Sequence, residues 1–163
     1  MTEDHWGLYV HIPFCLRKCP YCDFNSYPRS RWSREDRRRY VGAVARELGG
    51  IGVSCAPVSL YFGGGTPTTL PPQDLAWLLG LAKDKWNLGE EVEISIEANP
   101  DTVDGEVLQE LRNAGFNRLS LGVQSLRDRD LAILGRSYDV QTVHRALQDA
   151  RLAGFTNIGV DLI

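Results

Sequence analysis

Between Val92 and Glu97 every second residue is apolar: Val92, Ile94 and Ile96 alternate with Glu93, Ser95 and Glu97. Leu119, Leu121 and Val123 oppose Ser120, Gly122 and Gln124 in the same way, and Ile158, Val160 and Leu162 oppose Gly159 and Asp161. Period-two alternation makes a strand with one apolar face and one small, polar face. Two further strands are expected at Leu8–Ile12 and Val58–Phe62. Helical spacing separates the strands, over Ser33–Leu48, from about Pro71 through Ala82, over Asp104–Ala114 and near Val140–Ala153, with a short piece near Asp128–Leu134. Strand and helix alternate five times, which predicts a parallel sheet with crossover helices. Helices on both faces would require nearly continuous apolar strands. The alternation predicts helices on one face only, and so an α/β fold of the partial (β/α) barrel type with a polar interior. Ligands in such folds bind at the C-terminal ends of the strands, where Glu97, Gln124 and Asp161 fall. Ala114–Leu121 is echoed 39 residues later by Ala153–Val160, each a helix end, a glycine stop and the next strand.

The chain has 163 residues, 43% of them hydrophobic, enough for the core of one domain. It ends on an apolar strand, so residues 1–163 are expected to form the N-terminal portion of a longer domain. The net charge of −3 gives no reason to expect nucleic acid or an anionic membrane as partner. Arg29, Arg31, Arg34, Arg37, Arg38 and Arg39 form a basic run that reads as a solvated face. The polar start Met1–His5 resembles neither a signal nor a transit peptide, and no apolar run is long enough to span a bilayer. A reducing cytoplasm is the expected compartment, where clustered cysteines read as metal or redox ligands.

Cys15, Cys19 and Cys22 fall within eight residues, directly after the first strand. A structural zinc site wants four ligands and a disulfide an even number. An iron–sulfur cluster held by three thiolates leaves one iron open for a substrate or cofactor. The zinc alternative would recruit His11 as a fourth ligand. Cys55 stands apart and reads as a small buried residue, and Trp6, Trp32, Trp77 and Trp86 read as packing residues. Gly63–Gly65 lets a backbone approach a ligand closely, or simply makes a tight turn. Arg136 is either a surface arginine or a clamp for a carboxylate ligand.

Taken together, HIPFC, CPYCDF, FGGGTPT, IEANP, LSLGVQS and LGR resemble, in order, the motifs of the radical S-adenosylmethionine superfamily, within it the group of coproporphyrinogen dehydrogenases and haem chaperones. The resemblance covers Tyr9 to Ile163. It implies a 4Fe–4S cluster on Cys15, Cys19 and Cys22, whose open iron chelates S-adenosylmethionine. One-electron cleavage of that sulfonium gives methionine and a hydrogen-abstracting deoxyadenosyl radical. It also implies that Tyr9 lies near the cluster and that the Tyr21 backbone contacts the adenine. Gly64, Gly65 and Thr66 would receive the methionine amino group. Glu97, Gln124 and Arg136 would contact the ribose or methionyl end, and Asp161 would lie by the nucleoside. The dehydrogenases carry a cysteine two positions after the third ligand and a long N-terminal extension. Here Phe24 holds that position, Tyr21 replaces a phenylalanine, and Met1–Gly7 alone precede the first strand. These departures favour the haem-chaperone branch, which implies haem binding by the full-length protein and delivery to acceptor proteins. The alternative is anaerobic decarboxylation of a porphyrinogen. Both branches usually place a histidine shortly after the LGR arginine, where this chain reads Arg136-Ser137-Tyr138.

Overall fold

The computed structural model describes residues 5–163. The polar start of the chain therefore falls mostly outside the described residues. Five parallel strands form the main sheet: β1 (Gly7–Ile12), β4 (Ser59–Gly64), β5 (Glu93–Ala98), β6 (Arg118–Gln124) and β7 (Asn157–Leu162). The short β2 (Phe14–Cys15) and β3 (Tyr27–Pro28) pair with each other outside it. The spatial order of the main strands follows their order in the chain. Among the described residues there is no reversal of strand order of the kind that marks a doubly wound sheet. Four helices connect them: α1 (Arg34–Gly50), α2 (Pro72–Trp86), α3 (Gly105–Ala114) and α5 (Val140–Leu152), with the short α4 (Asp128–Ile133) after β6. Neighbouring helices pack on one another in sequence, α1 on α2, α2 on α3 and α3 on α5.

The core lies between this helical layer and one face of the sheet. Leu8, Val10, Ile12, Leu60, Phe62, Ile94, Ile96, Leu119, Leu121 and Val123 are buried there, as the alternation requires. Phe62 and Phe116 meet edge to face at 5.0 Å. The opposite face carries Tyr9, His11, Tyr61, Ser95, Glu97, Ser120 and Asp161. This is the wall of a (β/α) barrel, with the predicted polarity inside and out. On β7 the apolar positions are not covered: Val160 and Leu162 are exposed and only Ile158 is half-buried.

Helix starts follow their capping chemistry. Ser33 accepts from the Asp36 N–H at 3.1 Å while its own N–H donates to the Asp36 carboxylate at 2.8 Å. Asp104 and Asp139 cap α3 and α5 through the N–H groups of Val107 and Thr142. α1 runs two residues past its expected end at Leu48: Gly49 and Gly50 form its last turn, and Ile51 caps it. β4 runs two residues further than expected, through Gly63 and Gly64, because both stay paired with His11 and Ile12 of β1.

Two of the bland expectations are corrected. Cys55 is exposed. It sits in the loop between α1 and β4, where its carbonyl accepts from the indole N–H of Trp6 at 3.2 Å and its side chain faces away from the core. Trp77 is half exposed, since Leu75, Leu78 and Leu79 take the buried face of α2 and leave Trp77 on the outer one.

Candidate functional site

The cysteine loop is anchored by the two-residue parallel pairing of β2 with β3. Beyond Gly64 the end of β4 continues along the same segment. The Gly65 N–H donates to the Ile12 carbonyl and the Thr66 N–H to the Phe14 carbonyl, both at 2.8 Å. A Cβ on Gly65 would stand 2.7 Å from the Phe14 carbonyl oxygen and 2.9 Å from the Cys15 sulfur. A side chain has no room there, and the glycine brings the turn against the first cysteine. Gly64 has φ +121°, and a Cβ would meet the His11 ring at 2.6 Å. The glycine run is therefore a close approach to the cysteine loop rather than a tight turn.

A cavity of about 400 Å³ opens at the C-terminal ends of the strands, a volume within the range of small-molecule sites. Cys15, Cys19 and Cys22 lie on its wall together with Tyr21, Gly65, Thr66, Glu97, Gln124, Arg136 and Asp161. Two of the expected site residues are not on that wall. Tyr9 stacks behind Tyr61 at 6.0 Å, and its hydroxyl pairs with His11 Nδ1 at 3.1 Å. Gly64 acts through its N–H, which donates to Glu97 Oε2 at 3.0 Å.

All four cysteines are free thiols. Cys15 is buried and the other two loop cysteines are half-buried. Burial pushes the Cys15 thiol above its ordinary value, and the nearby Cys22 and Cys19 thiols add to this. Hydrogen bonds from Ser26 and Thr66 oppose it. Among the described residues no three His, Cys, Asp or Glu side chains converge on a point where one metal ion could sit. A cluster requires a different arrangement, because each thiolate binds its own iron and the sulfurs stand apart around its edge. Three soft donors spread around one cavity fit a cluster. His11, the fourth ligand of the zinc alternative, has both ring nitrogens engaged, Nδ1 with Tyr9 and Nε2 with the Asn25 carbonyl at 2.9 Å.

Opposite the thiols the cavity wall carries hydrogen-bonded polar side chains. Glu97 accepts from the Tyr61 hydroxyl at 2.7 Å as well as from Gly64. Burial, followed by the Glu97 carboxylate, raises the Tyr61 pKa, so the phenol stays a donor. Arg136 donates Nη1 to Asn99 Oδ1 at 3.2 Å and Nη2 to the Tyr21 hydroxyl. Its guanidinium also lies over the rings of Tyr21 and Tyr138. The Arg136 Nε is buried with no partner in the protein, which leaves a charged donor group incompletely satisfied beside the cavity. Arg136 thus lines the cavity rather than the free surface. Tyr138, near the departure after the LGR arginine, is buried and donates to the Gly122 carbonyl. Gln124 ends β6 at φ 68°, beside a register shift between β6 and β7. A non-glycine residue held at positive φ is strained, and such strain clusters at functional sites.

Sequence reasoning missed Tyr61 and Asn99. Tyr61 was visible as an inward-facing residue of β4 by parity. Asn99 belongs to the IEANP motif, but nothing in the sequence indicated that it would lie between Thr66, which its Nδ2 reaches at 3.0 Å, and Arg136.

A parallel barrel wall with three spaced thiols and a polar cavity at its strand ends defines a class, and comparison with known proteins agrees: the radical SAM superfamily model matches residues 9–163. The chain belongs to that superfamily. Among its relatives, the haem chaperone HemW of Mycobacterium tuberculosis is 38% identical over 100% of this chain and 43% of that protein. The oxygen-independent coproporphyrinogen III oxidase of Escherichia coli is 36% identical over 99% of this chain and 35% of that protein. The solved structure of the Escherichia coli coproporphyrinogen III oxidase superposes with a TM-score of 0.84 at 33% identity, covering 98% of this chain and 37% of that one. The chain thus spans about two fifths of the length of the curated relatives it matches. Among the described residues no helix is long and apolar enough to cross a membrane.

Proposed function

We propose that residues 1–163 form the N-terminal portion of the core of a haem chaperone, in which Cys15, Cys19 and Cys22 hold a 4Fe–4S cluster beside S-adenosylmethionine. The observation that carries this reading is the shared cavity, with three thiols on one side and Glu97, Gln124 and Arg136 on the other. When bound, the cluster supplies one electron to the sulfonium of S-adenosylmethionine. The chain's own residues bind and orient. Gly65 and Thr66 bring backbone close to the thiols and receive the methionine end, while Gly64 behind them steadies Glu97. Glu97, held by Tyr61 and Gly64, presents a fixed carboxylate to an amine or ribose hydroxyl. Arg136 presents its guanidinium to a carboxylate, Gln124 offers an amide, and Asp161 and the Tyr21 backbone flank the nucleoside. Tyr9 supports this face from behind Tyr61.

The chaperone branch rests on Phe24, which stands at the mouth of the cavity where the dehydrogenase pattern has a cysteine, and on the identity to the mycobacterial haem chaperone. Haem and haem-acceptor proteins are then the partners of the whole protein, and the cytoplasm is its expected compartment. The close superposition on the coproporphyrinogen oxidase keeps porphyrinogen decarboxylation as the second reading. The deciding experiment pairs haem titration of the full-length, cluster-loaded protein with anaerobic turnover of coproporphyrinogen III. Haem binding without decarboxylation is expected, and robust decarboxylation would move the protein to the oxidase branch.

A further inference from the structure

Asn99 ends up between two groups that fix its orientation. Arg136 has only donors, so the Asn99 atom it touches at 3.2 Å is the amide oxygen. The amide nitrogen then faces Thr66 Oγ1 at 3.0 Å and must donate to it. With its oxygen accepting from Asn99, the Thr66 hydroxyl turns its own proton to Cys15 Sγ, 3.8 Å away. Thr66 cannot swing aside. It is buried, its N–H is tied to Phe14, and its carbonyl accepts from Thr69. Asn99 is fixed as well, since its N–H donates to Thr102 Oγ1 at 3.1 Å, and the Thr102 hydroxyl donates to the Asn99 carbonyl at 2.9 Å. The far end of the chain is also anchored. Arg136 donates to Tyr21, which lies in the cysteine loop between Cys19 and Cys22.

We propose that Asn99 is a positioning residue that sets the direction of a donor chain, Arg136 to Asn99 to Thr66 to Cys15, so that a hydroxyl proton always faces the first cluster thiolate. Reducing a cluster adds negative charge, and hydrogen bonds to its sulfurs favour the reduced form. The chain also links both ends of the cysteine loop to the cavity wall through one amide. This inference rests on the cluster reading.

The test is Asn99→Asp in the full-length protein. The carboxylate keeps the shape of the amide and still accepts from Arg136. Its second oxygen, however, can only accept, so it draws the Thr66 proton away from Cys15. In the cluster-loaded protein, redox titration followed by electron paramagnetic resonance should show a more negative midpoint. A loss of about tenfold in the reduction equilibrium corresponds to about 59 mV for one electron. The carboxylate's own charge could have the same sign of effect, so the substitution is repeated in a Thr66→Val background, where the shift should fall to less than half. Equal shifts in the two backgrounds, or none in either, would overturn the proposal. A second readout needs no cluster. In the cluster-free protein the Thr66 hydroxyl proton should show a nuclear Overhauser contact with the Cys15 β-protons, lost in Asn99→Asp. Persistence of that contact in the variant would also overturn the proposal. If wild-type protein takes up no iron and sulfide, the cofactor reading fails while this second readout still decides the direction of the chain.

Discussion

Replacing Gly64 with alanine puts two separate demands on the site. The first is backbone strain. At φ +121° an L-residue sits in a sparsely populated region, at a cost of about 1–3 kcal/mol. The second is steric. The new methyl group would meet His11 Cε1 at 2.6 Å and the Ile12 carbonyl oxygen at 3.0 Å. The carbonyl belongs to β1, so the ring must give way. The ring is held by Tyr9 at 3.1 Å and by the Asn25 carbonyl at 2.9 Å, and losing one such bond costs about 0.5–1.5 kcal/mol. Together the two effects destabilise by about 1.5–4.5 kcal/mol. With a urea dependence of about 1–3 kcal/mol per molar, the unfolding midpoint should fall by about 0.5 M or more. Gly80 provides the control. It lies inside α2, and a methyl group added there would have nothing within 4 Å, so Gly80→Ala should raise stability by about 0.5–1 kcal/mol. Urea unfolding of the full-length protein, followed by circular dichroism, measures both. If Gly64→Ala stays within about 0.5 kcal/mol of wild type, the close-approach account of the glycine run is wrong.

Tyr61→Phe removes one of the two donors to Glu97 and should cost about 1.5–3 kcal/mol. In a double-mutant cycle with Glu97→Gln, most of that loss should disappear. Cys19→Ala should abolish iron uptake while the far-UV spectrum stays native, because Cys19 is only half-buried; a collapsed fold would assign it a structural role instead. Hydrogen bonds from the Ser33 hydroxyl and backbone N–H hold the Asp36 pKa below the ordinary 3.8. The stabilisation is therefore full above that value and lost as the pH falls through the lower folded value. Ser33→Ala should raise the Asp36 pKa in a carboxylate titration by nuclear magnetic resonance and reduce the change in α1 stability over that acid range.

Parity carried most of the fold. The alternation in β5 and β6 placed Ile94, Ile96, Leu119 and Leu121 under the helices and Glu97 and Gln124 in the cavity without any knowledge of long-range contacts. The same rule mattered less on β7, where Val160 and Leu162 are exposed. Alternation states which residues share a face and is silent on what covers it. Motif order brought ten of the twelve expected site residues to one cavity. Tyr9 and Gly64 fell just behind it, because a residue next to a site in sequence or parity can act through a neighbour. Asn99 and Tyr61 went unnoticed for a related reason. Their roles come from partners 33 to 37 residues away, a relation that local spacing does not encode. Cys55 was misjudged because a lone cysteine carries no periodicity and average burial was its only guide.

In the proposed function, Cys15, Cys19 and Cys22 and the cavity beside them hold a cluster with one iron open to S-adenosylmethionine. Electron paramagnetic resonance of the reduced, anaerobically reconstituted full-length protein, recorded with and without S-adenosylmethionine and paired with metal analysis, tests it directly. About four iron and four sulfide per chain are expected, with a signal that changes on addition of S-adenosylmethionine. One zinc per chain, or a cluster signal indifferent to S-adenosylmethionine, would contradict it.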